Sequence, residues 1–247
     1  DSAAPIRDIE GNIIGGIIVF HDVSESIAMA VKMSHLANHD LLTDLPNRVL
    51  LHDRVTHACK VASSMNKNVA LMLIDIDHFK RINDDYGHMA GDKVLSAFAN
   101  VLKEVFRQTD LIIRWGGEEF LVVCRQSNRE ELPELAERCR EMVARTSFDI
   151  GQEAPINITC SIGFSLLPPD KEDDFDAAWK RTFAVVDYAL YATKLSGRNG
   201  WVGVIETLTS PRAHPTLLDT KFNFPGSRIA TSFNNVASIK WPDTLDK

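Results

Sequence analysis

Residues 71–92 read LMLIDIDHFKRINDDYGHMAGD. Val69 to Ile76 is a continuous apolar run with the character of a strand buried inside a sheet. It ends in Asp75 and Asp77, two residues apart and therefore expected on one face of the strand. Unpaired carboxylates are costly to withdraw from water, so at the end of such a strand they require a cation or hydrogen bonds. Capping of the following turn is the plain structural alternative.

Outward from that strand, helix and strand signals alternate from about 41 to 205. Val49, Leu50, Val55, Ala58, Val61 and Ala62 indicate a helix. Val94, Leu95, Phe98, Val101, Leu102, Val105 and Phe106 form one apolar face at helical period. Leu111–Ile113 and Phe120–Cys124 read as strands joined by Trp115-Gly116-Gly117-Glu118-Glu119, where the paired glycines mark a tight hairpin turn. Leu132, Leu135, Cys139, Met142 and Val143 mark a further helix; Ile156–Ser165 is a strand, Phe183–Lys194 a helix and Trp201–Ile205 a last strand. The pattern predicts an α/β sandwich, with helices covering a central sheet.

The flanks differ. Residues 1–22 read as two short strands around a Gly11-Asn12 turn, too little for a stable sheet and so expected to be the end of a larger domain. Residues 23–40 lack Pro and Gly and predict a linking helix, with apolar stripes at Val23, Ile27, Ala30, Ala37 or at Met29, Met33, Leu36. Pairing with a copy of itself and a plain linker are both open for it. Residues 206–247, rich in Thr, Ser, Pro and Asn, predict an irregular extension.

Composition narrows the function. Of the 247 residues, 27 are basic and 34 acidic, giving a formal charge of −7, which disfavours a long nucleic acid partner. The run Ile13–Phe20 is too short to cross a bilayer, and no secretory signal is seen, so the expectation is a cytoplasmic piece without membrane contact. The four cysteines lack CxxC pairing and read as buried thiols. No GxxxxGK phosphate loop occurs.

The chemistry gathers at two places. Glu118 and Glu119 at a hairpin tip repel each other unless something positive lies there, and the adjacent glycines allow a phosphate to approach closely. If that hairpin lies beside the strand ending at Asp75, three or four carboxylates converge. Such a set suits Mg²⁺, which binds through a few carboxylates and substrate phosphates. Metal-assisted phosphoryl or nucleotidyl transfer follows as the expected reaction class.

Six motifs occur in order: DxLTxLxNR at 40–48, DIDHFKRIND at 75–84, GHMAGD at 87–92, RWGGEEF at 114–120, SIG at 161–163 and ALYATKLSGRN at 189–199. Together they resemble the GGDEF family of diguanylate cyclases, over about residues 39–205. Residues 1–22 resemble the last strands of a PAS sensory domain. The family resemblance implies a mostly antiparallel sheet flanked by helices, like nucleotidyl cyclases and polymerase palms. It implies condensation of two GTP into cyclic di-GMP across a homodimer with Mg²⁺ or Mn²⁺. Asp75, Glu118 and the Ile76 carbonyl match its metal ligands. Asp75, Glu118, Glu119 and Lys80 match positions engaged in catalysis. Asn83 and Asp92 match guanine recognition, Leu45 and Phe79 the substrate pocket, and Lys80, Lys194 and Arg198 phosphate contacts. Arg107 and Asp110 form the RxxD of an inhibitory product site. GGEEF in place of GGDEF is a minor departure. A non-catalytic receptor for GTP or cyclic di-GMP and an enzyme using ATP remain the alternatives.

Overall fold

The structure is a computed structural model that describes residues 2–19, 22–64, 67–127, 129–167, 175–207, 227–234 and 236–242. The chain divides into two compact units, residues 1–38 and 39–247.

In the first unit, β1 (Ser2–Arg7) and β2 (Ile13–Val19) pair antiparallel, and α1 (Ser24–Asn38) follows. The Asp8 carboxylate accepts the backbone N–H groups of Glu10 and Asn12 and closes the hairpin turn. None of the residues of α1 is buried.

The second unit is built on β3 (Asn68–Ile76), the expected buried strand. Its even residues Ala70, Met72, Ile74 and Ile76 join one core with α4 (His88–Val105) and α5 (Glu131–Arg145). Its odd residues Val69, Leu71 and Leu73 join a second core with α2 (Leu51–Ser64) and α6 (Phe175–Leu195). A strand alternates faces, so an apolar run long enough to serve both cores is needed only where helices cover both sides. Asp75 continues the odd-numbered face, the side on which α6 lies.

Around β3 the sheet runs β10–β9–β8–β3–β5–β4, with β4 (Leu111–Gly116), β5 (Glu119–Ser127), β8 (Cys160–Leu167), β9 (Gly200–Thr207) and β10 (Ser227–Thr231). Every neighbouring pair is antiparallel except β8 with β9, which is parallel. The mixed α/β class and the mostly antiparallel sheet are those expected. All four cysteines are free and buried, and among the described residues no helix is long and apolar enough to cross a membrane.

The structure departs from the sequence reading in four places. The strand expected over 156–165 is broken into β7 (Ile156–Asn157), paired with β6 (Ser147–Phe148), and β8. Thr159 falls at the break because its carbonyl and hydroxyl both serve Asp77. Helix α6 begins at Phe175 rather than Phe183, carried by the stacked stripe Phe175, Trp179 and Phe183. A short helix, α3 (Phe79–Tyr86), follows β3 where the sequence reading placed no element. Finally, the expected irregular extension contributes β10 to the sheet edge. It then docks Ile239 and Trp241 against the α6–β9 side, where Trp241 stacks on Tyr188. Apolar residues spaced without period anchor that tail; positions 208–226 and 243–247 lie outside the described residues.

Candidate active site

The site is assembled where β3 ends. Asp75 pairs in register with Glu119 of β5 on one side and Ser161 of β8 on the other. The Ile76 N–H donates to the carbonyl of Glu118 at 3.4 Å, so the glycine hairpin lies directly beside the strand terminus. Gly117 sits at φ 52, a left-handed conformation suited to glycine in a two-residue turn.

Asp75 is only 4% exposed. Burial pushes its carboxyl up to about 6, opposed by the hydrogen bond and charge of Lys194 and reinforced by the charges of Glu118 and Glu119. Lys194, near the end of α6, places Nζ 2.7 Å from Asp75 Oδ2. Lys194, assigned by resemblance to a phosphate, thus rests on the carboxylate. Asp77, equally buried, is different. One of its oxygens accepts from Ser161 Oγ at 2.7 Å, the other from Thr159 Oγ1 at 2.6 Å and from the Asn199 N–H at 3.0 Å. Hydrogen bonds satisfy Asp77, while a single lysine ion pair answers Asp75.

The hairpin is braced by Arg114 of its own strand β4, which reaches Asp40 outside the sheet. Arg114 Nε and Nη2 donate to the Gly117 carbonyl at 3.1 and 2.9 Å, and its Nη1 donates to both oxygens of Asp40. Burial opposes ionisation of Asp40, but hydrogen bonds from Thr43 and Arg114 hold its carboxyl below the usual range. Trp115 packs at a tilt against Phe183 with ring centroids 4.6 Å apart, tying the hairpin to α6. Neither Arg114 nor Asp40 was singled out from sequence; their place in two of the six motifs was the available signal.

The residues expected at the base pocket lie on α3, α4 and the segment before α2. Leu45 and Phe79 are buried, Asn83 is half-buried and Asp92 is exposed, just past the first turn of α4. A Cβ at Gly91 would stand 2.0 Å from Asn83 Oδ1, so the missing side chain lets the Asn83 amide rest against the turn that carries Asp92. Lys80 on α3 and Arg198 after α6 are exposed. Arg107 and Asp110 lie in the turn between α4 and β4. The Asp110 oxygens accept the backbone N–H groups of Arg107 and Arg125, both at 3.0 Å, whereas the Arg107 guanidinium reaches Glu131 at 3.7 Å. The Arg107 and Asp110 side chains therefore do not form the surface ion pair that their spacing alone would suggest.

The donor set fits a hard divalent cation in chemistry. Two carboxylates, Asp75 and Glu118, lie with Glu119 in a field whose negative charge raises the ionisation cost of Asp75. The convergence is narrower than expected from sequence. Asp77 is engaged elsewhere, and among the described residues no three His, Cys, Asp or Glu side chains form a metal-holding group. A main-chain oxygen would have to complete the set.

The family profile described as diguanylate cyclase, GGDEF domain, matches residues 37–200. Diguanylate cyclase DgcP of Pseudomonas aeruginosa is 41% identical over 160 residues, 65% of this chain and 23% of that protein. Diguanylate cyclase DgcM of Escherichia coli K12 is 35% identical over 183 residues, 74% of this chain and 42% of that protein. The chain therefore spans less than half the length of these curated relatives. Among solved structures, the coiled coil and GGDEF domain of DgcB from Caulobacter crescentus, in complex with c-di-GMP, superposes with a TM-score of 0.64 at 28% identity. That match covers 72% of this chain and 91% of the other.

Proposed function

The chain belongs to the GGDEF-domain family of diguanylate cyclases, and from that premise we propose that it condenses two GTP molecules into cyclic di-GMP and two pyrophosphates. In each half-reaction a ribose 3′-oxygen bonds to the α-phosphorus of the other nucleotide. The α–β phosphoanhydride breaks, pyrophosphate leaves, and the hydroxyl proton passes to solvent. The observation that carries this reading is the buried carboxylate of Asp75 at the glycine hairpin, balanced by one lysine and pressed by two further acids.

In this reading Asp75, Glu118 and the Ile76 carbonyl would hold the divalent ions. When bound, magnesium or manganese supplies charge neutralisation for the triphosphate and acidifies the attacking hydroxyl. Glu119 adds negative potential that favours cation binding at the same hairpin. Lys80 and Arg198 bind phosphate oxygens from α3 and from the turn after α6, and Lys194 exchanges Asp75 for a phosphate when the nucleotide arrives. Asn83 and Asp92 read the guanine edge: a carboxylate accepts from its N1–H and amino group, a donor pair that adenine does not present. Leu45 and Phe79 form the apolar side of that pocket. Each domain holds one GTP, so the reaction requires two copies of the chain face to face. At the turn after α4, Arg107 grips the guanine O6 and N7 of the product, and Asp110 completes an inhibitory site.

Incubation with Mg²⁺ and GTP, followed by product identification, tests the proposal. Cyclic di-GMP and pyrophosphate are expected from GTP and nothing from ATP. Asp75→Asn and Glu118→Gln should each lower turnover by at least about a hundredfold, as loss of a charge-stabilising group does. Added cyclic di-GMP should slow the parent and spare Arg107→Ala. Tight GTP binding without turnover would favour a receptor instead, and a product from ATP would overturn the guanine assignment.

A further inference from the structure

Asp77 is buried and ionisable, yet the reaction described above gives it no task. Its surroundings supply one. Three consecutive residues after α6, Gly197, Arg198 and Asn199, have φ of 130, 62 and 41. For glycine this is unexceptional, but for an arginine and an asparagine in succession it is strained. Such a turn persists only where neighbouring groups impose it. Burial does not impose it, because Arg198 and Asn199 are both exposed.

Hydrogen bonds impose it instead. The Asn199 N–H donates to Asp77 Oδ2 at 3.0 Å. The Arg198 N–H donates to the Thr193 carbonyl at 3.1 Å, and the Asn199 side-chain oxygen accepts from Arg140 Nη1 at 3.0 Å. Asp77 is itself immobilised, since Ser161, Thr159 and the contact between its own N–H and the Thr159 carbonyl fix it at the end of β3. Asp77, a charged acceptor for the turn, is thus anchored just past the end of β3, two residues beyond Asp75.

We propose that Asp77 is a positioning residue for Arg198: its carboxylate locks the left-handed turn 197–199 through the Asn199 N–H, and so fixes the main chain that offers the Arg198 guanidinium to the nucleotide's phosphates. The inference rests on the cyclase reading and deepens it. Asp77 touches neither substrate nor cation; it acts by holding Arg198, four residues beyond Lys194, in a conformation that the free chain would leave.

Calorimetric titration of the full chain, in the presence of Mg²⁺, with α,β-methylene GTP and separately with guanosine tests this, because neither ligand can react. Asp77→Asn removes the negative charge and one of the two acceptor oxygens, leaving the Asn199 N–H at best a neutral acceptor. It should weaken the triphosphate analogue about five- to tenfold, as expected when a charged acceptor becomes a neutral one, and leave guanosine unchanged. Arg198→Ala should show the same split, and the double variant should bind no more weakly than Arg198→Ala alone. Should Asp77→Asn not fold, Ser161→Ala removes a hydroxyl that orients the carboxylate and should give a smaller loss of the same selectivity. Full triphosphate affinity in Asp77→Asn, or in Ser161→Ala where that is the folded variant, overturns the inference. So do multiplying losses in the double variant, or equal losses for guanosine. If Arg198→Ala itself binds the analogue normally, the phosphate assignment of Arg198 falls too, which separates failure of the reading from failure of the positioning role alone.

Discussion

Asp75 ionises at a cost. In the unfolded chain its carboxyl titrates near the ordinary 3.8, whereas in the fold burial and two neighbouring acids push it up to about 6. Between those values the unfolded state has released the proton and the folded state has kept it. Without divalent metal, stability therefore falls as pH rises from about 4 to about 6, and above that this group's contribution is constant. The loss amounts to roughly 2–3 kcal/mol at most. Denaturant melts of the chelator-treated parent and of Asp75→Asn should draw apart across that window, the parent losing ground as pH rises; parallel curves would refute the account. In sequence, Asp75 and Asp77 are twins: two acids at the end of one apolar strand. What distinguishes them is supplied from far along the chain, by Thr159, Ser161 and Asn199 for Asp77 and by Lys194 for Asp75. Local reading shows that two carboxylates need partners, and it does not show which partner each one gets.

Elements place these side chains, and α6 lies close against β8. A Cβ at Gly163 would lie 2.3 Å from the Leu190 nitrogen and 2.4 Å from the Val186 carbonyl oxygen, both helix backbone. Helix backbone cannot yield as a flexible side chain can, so Gly163→Ala must lift α6 from the sheet. Overpacking of this kind costs about 1–3 kcal/mol. Because α6 carries Lys194, the displacement should also weaken nucleotide binding, which can be followed by titration alongside the denaturation midpoint. A Gly163→Ala variant as stable as the parent would show that the helix does not rest there. The glycine was visible inside the SIG motif, but its reason was not: period-two alternation reports which face is buried, not how near a helix comes. The same limit hid α3, whose eight residues include just two buried apolar ones, Phe79 and Ile82. Longer elements such as β3 and α4 were legible because many apolar residues repeat one period.

At the scale of the whole chain, the proposed chemistry is incomplete in one copy. In the proposed scheme each domain supplies one set of acids and one base pocket, while the product joins two nucleotides. The residues before the domain offer a means of pairing. Along α1, Met29, Met33 and Leu36 are between 47% and 60% exposed, and a solitary helix of 15 residues is marginal in water. A second copy packed along that stripe would bury them and raise the local concentration of the two half-sites. Cyclase activity per chain should then rise with protein concentration over the range in which sedimentation shows monomers giving way to dimers. Removing residues 1–38, which form a unit of their own, should move that rise to higher concentration without changing the product. If dilution far below the association midpoint leaves activity per chain constant, a single copy suffices and the two-site scheme is wrong. If truncation leaves the midpoint where it was, pairing belongs to the domain surface rather than to α1. Sequence composition does not decide between these, because an exposed apolar stripe reads alike on a linker and on a dimer helix until association is measured.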